Sequence, residues 1–354
     1  MNASLTPSSS ARRSFPWPPW GWSLLGVLAV WAFTVAVRPG APLDPLAGAF
    51  SLAPFLVLVA LGQMLVITLG PGNIDVSVGT VISMTSYVSV AVGATAGPIA
   101  GLVAGFGAGL LAGMISVLAI LVLRVPPIIA TLATSLIVTS ATLLLAAEAR
   151  GGADPALRGF VNAKVFGLPV IAILVAVLTV VIWFVLRHTR LGVSIIAVGQ
   201  SERAAERAGL KVAVVTATAY LQSAGFAGLV GGLLAAYISP STVLGTSYML
   251  DSIAVVVIGG TLISGGRPVP VGAWTGALFF VLLSGLLNLV GWSVGAQNVL
   301  KGVLVVLVVV IASATTGTGR TTWRRLRASL RPGASADTSS PDTSSTEKKE
   351  TIHG

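Results

Sequence analysis

The sequence predicts an all-α fold: a polytopic membrane helix bundle of about ten transmembrane helices with both termini cytoplasmic. Three observations carry this. Of 354 residues, 55% are hydrophobic and only 9% are charged, against about 25% charged in an ordinary soluble domain. Of the 32 charged residues, eleven lie in Arg320–Gly354 and two in Met1–Trp20, leaving nineteen for the 299 residues between. No water-facing surface of that size is built from nineteen charges, so soluble, disordered and fibrous classes are excluded. Third, the apolar runs are continuous and of spanning length, about 20 residues, rather than the alternating strands of a β-barrel.

Taken in order, the predicted spans are 21–37, 51–69, 76–96, 98–121, 127–147, 167–186, 212–236, 250–263, 268–290 and 297–313. The first follows the basic pair Arg12–Arg13. It lacks a small-residue cleavage site and reads as a span rather than a removed signal peptide. The eighth is short and broken by glycine. With the N-terminus inside, the inside segments carry sixteen Lys and Arg, among them Arg124, Arg187, Arg190, Arg267 and seven in the tail. The outside segments carry four: Arg38, Arg150, Arg158 and Lys164. That imbalance sets the orientation. Lys301 falls within the last span. The expected layout is a cytoplasmic segment 1–20, a transmembrane domain 21–313 with a cytoplasmic loop 187–211, and a cytoplasmic tail 314–354. The tail begins basic, for anionic lipid, and ends Ser/Thr/Asp-rich and disordered.

Other classes fall away quickly. The formal charge of +10 reflects residues at span ends, not a nucleic-acid-binding stripe. There is no Cys, and His188 and His353 stand alone, so no metal site is expected. Without paired carboxylates or a His constellation, a membrane enzyme is remote. No filter motif marks a channel.

Three places break the apolar pattern. The first is Gly70-Pro71-Gly72-Asn73-Ile74-Asp75-Val76-Ser77-Val78-Gly79, whose Gly and Pro forbid a continuous helix. It reads either as a tight interspan turn, with Ser77, Asp75 or Asn73 as helix cap, or as an interrupted helix lining a polar path. The second is Asp251, followed by Gly259-Gly260 and Gly265-Gly266-Arg267. Those glycines permit turning or close packing. Arg267 reaches Asp251 only if the short helix folds back, and reads better as an inside anchor. A weak echo relates Leu61–Gly79 to Ile258–Gly272, as in transporter repeats.

The third break is the inside loop Gly199–Lys211. Ser201 as N-cap and Gly209 beyond the C-terminus predict a helix of about two turns. At 100° per residue, Glu202, Arg203, Glu206 and Arg207 share one face, and Ala204, Ala205 and Ala208 the other. A small flat face suits packing against another protein.

These breaks, in this order, resemble the permease subunits of bacterial ABC importers for simple sugars, of the ribose/xylose/arabinose/galactose type. That family's Gly-Gly-Ile-Asp-Leu-Ser-Val-Gly is similar to Gly72–Gly79 here, with Asn73 replacing the second Gly. Its Pro-Pro-Phe-Ile-Ala-Thr-Leu-Gly-Thr is similar to Pro126–Thr134, with Ala133 replacing Gly. Its Leu-Asp-Ala-Ile-Ala-Ala-Val-Val-Leu-Gly-Gly-Thr is similar to Leu250–Thr261, and its cytoplasmic Gly-…-Ala-Ala-…-Gly-Ile segment to Gly199–Leu210. The resemblance runs from about residue 50 to 312.

It implies a cytoplasmic coupling helix at Glu202–Ala208, contacting an ATP-binding cassette ATPase through Glu202, Arg203, Ala204, Ala205, Glu206, Ala208 and Gly209. It implies a translocation path involving Asn73, Asp75, Ser77 and Asp251, with helix breaks or close packing at Gly70, Gly72, Gly79, Gly259, Gly260, Gly265 and Gly266. It also implies a second permease copy or paralogue, an extracytoplasmic solute-binding protein and a bacterial cell-membrane location. The solute is left open among pentoses, hexoses, polyols, nucleosides and a furanose-like autoinducer. Independently, a phosphate loop needs Gly-Lys-Ser/Thr, and this chain contains no Gly-Lys dipeptide. Any ATP-Mg is therefore bound by a partner chain, and this chain needs no cofactor. An ion-coupled secondary transporter is the alternative, with only Asp75 and Asp251 to serve coupling ions.

Overall fold

The computed structural model of the protein describes residues 17–148 and 151–315. Arg12, Arg13, Arg150 and the tail beyond Thr315 lie outside the described residues, and so do the expectations placed on them. The described residues form thirteen helices and one two-residue hairpin. Residues to Val308 pack as one unit; of a second, Val309–Gly354, only the end of the last helix is described.

Ten helices coincide with the predicted spans: α1 (Gly21–Val37), α2 (Asp44–Thr68), α3 (Val78–Ala96), α4 (Pro98–Leu121), α5 (Pro127–Glu148), α7 (Val170–His188), α10 (Val212–Tyr237), α11 (Thr246–Ile258), α12 (Pro270–Leu289) and α13 (Val294–Thr315). Seven of them (α2, α3, α4, α5, α7, α10 and α12) are long and apolar enough to cross a membrane. Three further helices lie between: α6 (Pro155–Asn162), α8 (Arg190–Gln200) and α9 (Glu202–Arg207). The hairpin pairs β1 (Lys164–Val165) with β2 (Leu168–Pro169).

Two element boundaries differ from the sequence expectation for local reasons. α2 begins at Asp44, not 51, because Asp44-Pro45 makes a favourable first turn: an acid at the positive helix end and a proline that needs no donor. α11 stops at Ile258, not 263, because Gly260 takes a positive φ of 93° and turns the chain. At 1.5 Å per residue α11 is about 20 Å long, short of the ~30 Å hydrocarbon core.

α2 is the axis of the bundle. From Ala53 to Leu69 every residue is buried, on all sides of the helix, as befits a helix apolar all round. It packs against α10, α11, α12 and α7. The outer helices carry their bulk outward instead: Leu136, Leu144 and Val180 are exposed. In a chain whose solvent is hydrocarbon this surface incurs no hydrophobic penalty.

Close packing of α4 on α3 and α10 rests on glycines four residues apart: Gly101, Gly105, Gly109 and Gly113. A Cβ on Gly101 would strike the Ser89 carbonyl of α3; one on Gly109 would strike the Ala224 carbonyl of α10. Such small-residue rows let membrane helices approach backbone to backbone.

Candidate functional site: two interrupted segments and a loop helix

The first break is folded into the bundle. After α2 the chain turns at Gly70 and Gly72, with φ of 115° and 84°. It then climbs back along α2 until the backbone of Asp75 lies beside Gln63. With its amide nitrogen toward the Asp75 carbonyl, Gln63 pairs both backbone polar groups of Asp75 at 3.2 Å. Gln63 lies five residues before the helix end, so the re-entry is about 8 Å deep.

Asp75 itself is buried. Its Oδ1 accepts from the Ser77 backbone N–H at 3.0 Å and the Ser77 hydroxyl at 2.6 Å, and its Oδ2 accepts from the Ser223 hydroxyl of α10 at 2.9 Å. Asp75, then, satisfies the head of α3. The Ser77 side chain makes no capping bond to that helix; its backbone is already helical, at φ −80° and ψ −14°, and its hydroxyl donates to the carboxylate instead. Asn73 accepts from the Tyr220 hydroxyl at 3.2 Å. Thr131 of α5 closes the far side, with its Oγ1 accepting from the Val76 N–H at 3.2 Å. Every polar group named here finds a partner, as irregular backbone inside a membrane bundle requires.

The second interrupted segment meets the first head to head. The chain after α10 descends to Gly245, whose N–H donates to Ser83 Oγ of α3 at 3.0 Å. A Cβ on Gly79 would lie 2.6 Å from the Gly245 carbonyl oxygen, and one on Gly245 would strike the Gly79 oxygen. The heads of α3 and α11 thus abut, with no side chain between them.

One turn along α11 sits Asp251. Its partner is Lys301 of α13, Nζ to Oδ2 at 2.9 Å, with side chains 12% and 13% exposed. Arg267 is not its partner. Lys301 also lies over the Phe280 ring at 6.0 Å. The pair forms one wall of a cavity of about 510 Å³ between α1, α2, α11, α12 and α13, within the range typical of small-molecule sites. Tyr248, Ser284 and Asn288 add polar groups, and Arg38 and Asp44 also line the cavity.

The long loop between α7 and α10 holds two helices, not one. α8 is capped by Thr189, whose Oγ1 accepts from the Gly192 N–H at 3.2 Å. α9 follows after Ser201, whose Oγ accepts from the Ala204 N–H at 3.3 Å. Gly209 ends it with φ of 83°. The expected alanine face is divided. Ala205 is buried against the bundle, whereas Ala204 and Ala208 are exposed with Glu202, Arg203, Glu206 and Arg207. The surface open to another protein is therefore mainly the charged one.

The remaining glycines join the parts. Gly259 packs on Gly272 of α12, Gly260 on Pro19, Gly265 on Gly70, and Gly266 on Gln200. Sequence reasoning missed Gln63, Ser223, Tyr220, Thr131 and Ser83. The available signal was their polarity within apolar helices. Among the described residues no cluster of three or more His, Asp or Glu could hold a metal.

Fold and site together define a polytopic membrane protein with interrupted helices, and the family it belongs to makes it a transport subunit rather than an enzyme. The chain belongs to the family described as branched-chain amino acid transport system / permease component, whose model matches residues 46–311. It is 36% identical to the ribose import permease protein RbsC of Bacillus subtilis over 259 residues, 72% of this chain and 80% of that one. It is 31% identical to the galactofuranose transporter permease protein YtfT of Escherichia coli over 332 residues, covering 88% and 95%. The autoinducer 2 import system permease protein LsrD of Yersinia enterocolitica is 28% identical over 274 residues, covering 74% and 82%. No solved structure matches.

Proposed function

We propose that this chain is the membrane-spanning permease of an ATP-driven importer for a monosaccharide or similar small polar solute. The observation that carries the reading is the family match over residues 46–311, joined to relatives that are named import permeases for ribose and autoinducer 2. An extracytoplasmic binding protein delivers the solute. A separate ATPase chain binds ATP-Mg and docks at α9. Ten segments cross the membrane with both termini inside, the eighth as the chain descending to Gly245 followed by the short α11, which puts α9 on the cytoplasmic face and the Asp251–Lys301 cavity toward the outside. A second copy of the chain, or a paralogue, completes the pathway.

The route we favour passes the abutting heads of α3 and α11. Asp75, Ser77 and Asn73 shape it by holding the break; Asp251 and Lys301 line its outer approach. Gly70, Gly72, Gly79, Gly259, Gly260, Gly265 and Gly266 set the turns and contacts that keep the two segments in place. The test is reconstitution of the purified complex in vesicles, with labelled D-ribose as first probe and other sugars after it. ATP-dependent uptake that an uncoupler leaves unchanged is expected. Uptake abolished by the uncoupler and indifferent to ATP would favour ion coupling instead.

A further inference from the structure

α9 is too small to reach the interrupted segments, yet the chain just before it does. Gly199, near the end of α8, is buried where three backbones converge. A Cβ there would sit 2.5 Å from the Gly266 nitrogen and closer still to the Thr68 carbonyl oxygen. That carbonyl, at the end of α2, accepts from the Gly266 N–H at 2.9 Å. Gly265 completes the contact: its Cβ would strike the Gly70 Cα and lie 2.8 Å from the Gly199 oxygen. Gly70 opens the re-entry that leads to Asp75. Gly265 and Gly266 close the loop that leads back to α11 and Asp251. One point of α8 therefore bears on both interrupted segments, two residues before the cap of α9.

At Gly199 and Gly265 the contact is backbone on backbone, with the Gln200 side chain against Gly266 beside it. Side chains absorb small displacements by changing rotamer, whereas closely abutting backbones pass them on. Gly70, Gly265 and Gly266 all hold positive φ, at 115°, 84° and 72°, where a residue with a Cβ is disfavoured. A shift of α8 toward this point presses on both partners of the Thr68–Gly266 hydrogen bond, because Gly199 abuts the Thr68 carbonyl oxygen and the Gly266 nitrogen.

We propose that Gly199 is a positioning residue for transport: the wedge through which movement of the docking helix is delivered to the Asp75 break and the α11 segment together. The proposal rests on the reading of α9 as the ATPase contact, and its test separates the two. The chain has no Cys, so Gln200→Cys with Arg267→Cys places the chain's only thiol pair across the contact. Both positions are exposed. Joining them with a reductant-cleavable bis-thiol reagent, in the assembled complex in vesicles, is expected to lower ATP-driven uptake at least tenfold. Reductant is expected to restore it, and the ATPase to stay bound throughout. A purely structural contact would not respond reversibly in an already folded complex. Wild-type uptake by the joined protein would overturn the proposal. Gly199→Ala supplies a second readout: ATPase retained, with solute imported per ATP hydrolysed down at least tenfold. Should Gly199→Ala release the ATPase or leave that ratio unchanged, the wedge does not transmit. Failure of the docking reading itself shows elsewhere, as an ATPase that stays bound when the exposed face of α9 is altered.

Discussion

Lys301→Met removes the cation that neutralises Asp251 and leaves a carboxylate facing α13. A Lys or Asp at a membrane helix centre costs about 2.5–3.5 kcal/mol unpaired, and removing one partner of a buried pair destabilises by about 3–5 kcal/mol. The side chains here are 12% and 13% exposed along a cavity, so some hydration reaches the orphan. The lower end, about 3 kcal/mol, applies, equivalent to roughly a hundredfold in a folding equilibrium. Asp251→Asn should cost less, because the amide oxygen still accepts from Lys301. The double variant leaves no charge in place and should recover part of the loss, giving a coupling of about 2 kcal/mol. SDS-titrated unfolding of the purified chain and its three variants measures each side of the cycle. Additive single effects, with coupling under about 0.5 kcal/mol, would refute the view that this ion pair ties α13 to the bundle.

Three further outcomes follow from the same geometry. Asp75→Ala loses three hydrogen bonds at the head of α3 and should reduce uptake severalfold with insertion intact; unchanged uptake at normal expression would make the site a simple turn. Ala204→Trp, on the exposed side of α9, should release the ATPase without harming the fold, while Ala205→Trp should lower expression by overpacking, a cost of about 1–3 kcal/mol or more. Pull-down of the ATPase and membrane yield separate these two effects. Gly209→Val places a β-branched residue at φ 83°, so about 1–2 kcal/mol is expected from the left-handed strain alone, visible as lost ATPase binding with normal span insertion.

Much of this was legible in the sequence, because membrane spans announce themselves by length and composition. All ten predicted spans coincide with helices, seven of them long and apolar enough to cross a membrane, and the turn at Gly70–Gly72 and the cap at Ser201 follow from residue types with few alternatives. What the chain order conceals is contact between distant segments. Lys301 is visible within the last apolar run, but nothing in spacing joins it to Asp251, fifty positions away. α8 was hidden because its eleven residues mix apolar and polar types inside a loop read as one unit. The helical wheel puts Ala204, Ala205 and Ala208 on one face, but the structure buries only Ala205 and leaves the other two exposed with the charged residues. Which of them turns inward depends on how α8 delivers the chain to Ser201, and a wheel carries no such information.

The abutting heads of α3 and α11 explain why an acid occupies position 75. Each helix start carries roughly half a positive charge. Two such ends brought to within about 5 Å at an effective dielectric near 20 repel by roughly 1 kcal/mol. Glycine at 79 and 245 is what permits the approach, and the approach creates the repulsion. A carboxylate held at the head of α3 by Ser77 and Ser223 offsets it from within the bundle. Gln63 occupies the backbone polar groups of Asp75, so the side chain remains free to serve the helix. The same arrangement makes the junction sensitive to position: when the two heads separate, both the repulsion and the need for its compensation diminish. A displacement arriving through Gly199 would act at the bases of these two segments, where their separation is set.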